Sequence, residues 1–138
     1  MLDFEGKIFS TVSTALRTAY SGIFVSGEYV DAPPSFPAVT LTESSNTVIR
    51  NRRTAQRIEN GVNVMCECNV YSNKKNGKKA QAREIMATLD EQMASLGFTR
   101  TFLNPVPNVA DASIYRIVAR YEAAVLPEGE NEFRIYTN

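Results

Sequence analysis

Between Val62 and Tyr71 the chain alternates with a period of two. Val62, Val64, Cys66, Cys68 and Val70 fall on one side, and Asn63, Met65, Glu67, Asn69 and Tyr71 on the other. Successive side chains of a strand point to opposite faces, so this pattern predicts a strand with one strongly buried face. The period then changes. Ala82, Ile85, Met86, Leu89, Met93 and Leu96 recur at three-to-four spacing, which predicts a helix over 78–96, stopped at Gly97. A turn rich in Asn and Lys, Asn73 to Gly77, separates the two elements.

A second stripe, Phe4, Ile8, Val12, Ala15, Leu16 and Ala19, predicts a helix from Phe4 to Tyr20, with Asp3 as N-cap and Ser21-Gly22 as stop. Ser10, Thr11, Ser13 and Thr14 are weak helix formers, so packing must hold this element. Ile23 to Val30 reads as extended. Asp31 to Pro37 is a loop, because its three prolines remove backbone donors and push the preceding residues out of helix. Ala38 to Glu43 alternates again, Val39 and Leu41 against Thr40 and Thr42, as in a half-buried strand. Ser44 to Asn60 has few apolar anchors and fits either the two arms of a protruding hairpin or a loop.

Phe98 to Leu103 is a further strand, ended by Asn104-Pro-Val-Pro-Asn108. Ile114 to Val125 is the last long one. Both faces of Ile114–Val125 are partly apolar, which places it inside the sheet or under a partner subunit. In the charged tail after Pro127, Phe133–Ile135 has the composition of a short edge strand. The order of elements indicates an α+β fold: an antiparallel-dominated sheet with two helices packed on one face. One domain over 1–138 is expected, with a flexible basic loop at about 44–60 and a charged tail at about 127–138.

Composition narrows the function. The chain has 15 Lys and Arg against 15 Asp and Glu and a pI near 6.3, so bulk charge points to neither nucleic acid nor membrane. Met1-Leu-Asp-Phe-Glu lacks the basic and apolar regions of a secretory signal, and no apolar run approaches the roughly 20 residues that span a bilayer. Folding in a cytoplasm is expected. The chain has no His, which removes the commonest general base and metal ligand and rules out Ser-His-Asp and Cys-His mechanisms. Cys66 and Cys68 share one strand face and read as two small buried hydrophobes. Asp90 and Glu91 are adjacent on a helix, do not share a face, and read as solvated helix surface. Asp111 reads as a turn residue. The seven glycines are scattered and form no phosphate loop. No catalytic, cofactor-binding or metal-ligating residue is expected.

Charge patterning carries the remaining signal. Arg50, Arg52, Arg53, Arg57, Lys74, Lys75, Lys78, Lys79 and Arg83 occupy the middle of the chain. Glu122, Glu128, Glu130 and Glu132 lie near its end. The bland reading is solvated loops. The sharper one is head-to-tail docking between copies, a heterologous contact that closes into rings. Arg50, Arg52, Arg53, Arg57, Glu128, Glu130 and Glu132 are the candidate contacts. No aromatic residues interleave with Arg50–Arg57, which argues against nucleic acid.

Over nearly its whole length the chain resembles the tail terminator, or tail-completion, proteins of long-tailed bacteriophages and related phage tail-like particles. The resemblance lies in length, element order and five passages: Asn69-Val-Tyr-Ser-Asn73; the helix Lys79–Gly97; Phe98-Thr-Arg100; Asn104-Pro-Val-Pro-Asn108; and Asp111-Ala-Ser-Ile-Tyr-Arg116 running on to Arg120-Tyr-Glu-Ala-Ala124. It implies a non-enzymatic virion protein without cofactor, assembled in the host bacterial cytoplasm. Its ring, expected to be a hexamer, caps the tail tube, ends polymerisation and presents the head-joining surface. The implied partners are other copies of the chain, the tail tube protein and a head–tail connector or neck protein. The alternative is a head–tail connector or neck adaptor ring, and a more distant one a small enzyme or nucleotide-binding module.

Overall fold

A computed structural model describes residues 3–49, 61–108, 111–127 and 133–135. The chain runs α1 (Glu5–Ala19), β1 (Phe24–Ser26), β2 (Ala38–Val48), β3 (Val62–Ser72), α2 (Lys78–Ser95), β4 (Thr99–Pro105), β5 (Tyr115–Pro127) and β6 (Phe133–Ile135). This is the expected α+β fold. The strands form one sheet in the order β1-β2-β3-β5-β4, with β6 also paired to β5. Among the described residues only the β1–β2 pair is parallel. Because β5 is antiparallel to both β3 and β4, the β3–α2–β4 passage is a crossover that skips one strand.

The β3 alternation sets the core. Val62, Val64, Cys66, Cys68 and Val70 are buried. Their cross-strand partners on β5 are Val125, Ala123, Tyr121, Ala119 and Ile117. Directly paired residues share a face, so one apolar surface crosses the middle of the sheet and continues through Val39 and Leu41 on β2. Onto it α1 sets Ile8, Val12 and Leu16, and α2 sets Ala82, Ile85, Met86, Leu89 and Met93. Burying each large aliphatic side chain contributes about 1.5–3 kcal/mol. The helices are tied to each other where the Tyr20 hydroxyl meets Thr88 Oγ1 at 2.7 Å.

Local signals explain the helix ends. Asp3 Oδ1 accepts the Glu5 N–H at 3.2 Å, so the expected cap serves the first turn although Phe4 occupies the formal cap position. Gly97 has φ +98°, a left-handed conformation that favours glycine. Around it the Phe98 N–H reaches Met93 O and the Gly97 N–H reaches Ala94 O, closing the last turn of α2.

Three expectations are corrected. The extended stretch expected over Ile23–Val30 is a strand only at Phe24–Ser26, where it runs beside Ala38–Thr40; the rest is loop. The strand expected to end at Glu43 runs to Val48, with a bulge between Glu43 and Ser45, so Ser44–Val48 is the first arm of a hairpin with β3. Its polar sequence gives no alternation; pairing with Val62–Met65 holds it extended. Finally, β5 continues to Pro127, and the expected edge strand at Phe133–Ile135 pairs back onto Val125–Pro127.

Candidate interaction surface

Arg50, Arg52, Arg53, Arg57, Glu128, Glu130 and Glu132 all lie outside the described residues. The residues that bracket them are described. Ile49 N–H donates to Gly61 O at 3.1 Å, and Val48 pairs with Val62, Val62 with Val125, and Val125 with Ile135. The arginine-rich segment leaves and re-enters the sheet between β2 and β3, and the glutamate-rich segment between β5 and β6, at the same end. With strands about 4.8 Å apart, the two roots are centred about 10 Å from one another. The described residues that flank the two charged segments are thus neighbours at one end of the sheet.

The face of the sheet away from the helices is polar and internally bonded. Arg116 donates from Nε to Asn69 Oδ1 at 2.9 Å, with its guanidinium 5.7 Å from the centre of the Tyr71 ring. Four residues further along β5, on the same face, Arg120 donates from Nε to Glu67 Oε1 at 3.2 Å and lies 4.8 Å from the Phe102 ring. In both cases β3 supplies the acceptor and an aromatic side chain supports the guanidinium plane. The Arg120 side chain remains 49% exposed. Beneath these arginines Val118 and Tyr71 are buried, and burial holds the Tyr71 phenol above its usual range.

On the helix side, Asp90 departs from its expected place on a solvated surface. Its Oδ1 accepts the Tyr121 hydroxyl at 2.8 Å and Arg100 Nη1 at 3.1 Å, joining α2 to β5 and β4. Burial, and then the Asp90 carboxylate that binds its proton, hold the Tyr121 phenol far above its usual range, so it stays a donor. Neighbouring Glu91 is exposed, as expected. No local sequence signal marks Asp90, because Tyr121 is 31 positions away.

The other candidates resolve simply. Cys66 and Cys68 are buried free thiols, as expected. Burial, then the Glu43 and Glu5 carboxylates, push the Cys66 thiol up to about 12, and burial sets Cys68 well above its usual value. Asp111 is the expected turn residue: Oδ1 accepts the Ser113 hydroxyl and N–H, which lowers its pKa. Two cavities of about 370 Å³ open on the surface. One lies beside the Pro105–Asn108 turn and the start of α2, the other between α2 and β4 around Met86, Leu103 and Ile117. Among the described residues no helix is long and apolar enough to cross a membrane.

The outer sheet edge is interrupted. Val106 N–H donates to Arg116 O at 2.9 Å, and strand alternation then turns the backbone of Leu103 and Pro105 outward. Pro105 has no N–H to offer, and the register shifts between Arg100 and Phe102. On β2, the Glu43 N–H is taken by Glu5 Oε1 at 3.2 Å. No protein-family model and no curated protein matches this sequence.

Proposed function

We propose that this chain is a structural tail terminator: a subunit of a ring that caps a phage-type tail tube, ends its polymerisation and provides the surface for head joining. The observation that carries the reading is the blunted sheet edge, where β4 combines a bulge with an outward-facing proline. A growing tube exposes strand edges that template further subunits. A capping subunit must bind such an end without offering an equivalent one. The shared root of the Arg50–Arg57 and Glu128–Glu132 segments supports a second element of the reading, in which one end of the sheet carries contacts of both signs toward neighbouring copies or the tube.

Native mass spectrometry of the purified chain with tail tubes tests this. A closed ring that associates with tube ends is expected. A strictly monomeric chain that ignores tube ends overturns the proposal. In a particle-producing strain, loss of the chain should give overlong tails without heads. Finished tails beside leaking heads would assign it to the neck instead.

A further inference from the structure

Where α1 begins, three carboxylates converge on β2. Ligand-capable oxygens of Asp3, Glu5 and Glu43 all lie within 4.8 Å of one another. Glu5 also reaches across to the Glu43 backbone, accepting its N–H through Oε1 at 3.2 Å. The Glu43 side chain is engaged by Asn46, yet its Oε2 is enclosed and has no hydrogen-bond partner among the described residues. Glu43 is part-buried, and a shielded carboxylate oxygen without a donor, beside two further carboxylates, is disfavoured in its charged form. A single proton relieves it: a protonated carboxyl becomes a donor, and neighbouring carboxylates are the strongest acceptors at hand.

We propose that Asp3, Glu5 and Glu43 form a proton-sharing clasp in which Glu43 takes a proton from solvent and donates it in a hydrogen bond to Glu5 or Asp3, fastening the start of α1 to the β2 arm of the β2–β3 hairpin. The groups facing Glu43 among the described residues are Asp3 and Glu5 from the α1 side, Asn46 from β2 and the Cys66 thiol from β3. The thiol stays neutral, because burial raises it to about 12. Burial, followed by the charges of Glu5 and Asp3 and partly opposed by the Asn46 bond, raises Glu43 above the ordinary value of 4.5. The folded chain therefore keeps this proton at pH values where the unfolded chain has released it. The added stability is full below about 4.5 and is lost as pH rises through the folded midpoint. Each unit between the two midpoints corresponds to about a tenfold change in the folded-to-unfolded ratio. The clasp does not depend on the tail role proposed above.

The test follows Glu43 directly in the full-length chain by carboxyl-carbon NMR titration, together with thermal unfolding from pH 7.5 to 4.5. The Glu43 midpoint is expected above 4.5 and should fall in Glu5→Gln. Glu43→Gln carries a permanent amide donor. It should melt roughly 2–5 °C above the unaltered chain at pH 7.5, the gap closing toward pH 4.5. A Glu43 midpoint at or below 4.5, or one that ignores Glu5→Gln, overturns the proposal. A melting temperature raised by millimolar calcium at pH 7.5, and not in Glu43→Gln, also overturns it by assigning the cluster to a cation.

Discussion

The two faces of the sheet solve the same problem differently. Toward the helices, β3 and β5 present Val62, Val64, Cys66, Cys68, Val70 and their partners, and α1 and α2 cover them. Stability there comes from removing apolar area from water, which needs shape but little direction. A few polar contacts cross from helix to sheet, among them the Tyr121 hydroxyl on Asp90 and the Glu43 N–H on Glu5. On the other face no helix arrives among the described residues. Arg116 and Arg120 lie across β3 and onto aromatic rings, so the face covers itself with long charged side chains whose stems pack and whose heads stay near water. The first face should tolerate change less well than the exposed arginines of the second.

Three measurements bear on this contrast. Leu89 is fully buried against the sheet, and Leu89→Ala should destabilise by about 2–5 kcal/mol in urea unfolding. A loss below 1 kcal/mol would mean that α2 does not hold the core as described. Asp90→Ala should cost about 1–3 kcal/mol, because it leaves the buried Tyr121 hydroxyl without its acceptor. Glu91→Ala next to it should change stability by no more than about 0.5 kcal/mol. Equal effects at the two positions would return Asp90 to the solvated helix surface. Arg120→Ala removes an ion pair and a ring contact on the open face, and should cost about 1 kcal/mol or less because the side chain is half-exposed. A cost comparable to that of Leu89→Ala would erase the distinction between the faces.

Much of the fold was legible in the chain because its periods are clean. The β3 alternation and the α2 stripe define their elements to within a residue or two, and Gly97 marks a stop that only a positive φ satisfies comfortably. For the polar run Ser44–Val48 the sequence left a hairpin arm and a loop open, and the structure shows the hairpin arm. Nothing in Ser-Ser-Asn-Thr has strand periodicity, and its conformation comes from hydrogen bonding to β3. The roles of Asp90 and Glu43 were hidden. One depends on Tyr121, the other on Glu5, 38 positions earlier.

The sequence by itself determined the main helices and strands, which face of each is buried, and that this chain supplies no histidine. These are local properties, set by side-chain period and residue type. Only the tertiary structure decided which charges meet. Strand order paired Arg116 and Arg120 with β3 and brought Glu5 to Glu43. The physical reason is that burial follows from each residue's own chemistry, whereas an ion pair or a shared proton requires two groups within a few ångströms. Chain topology alone fixes that separation.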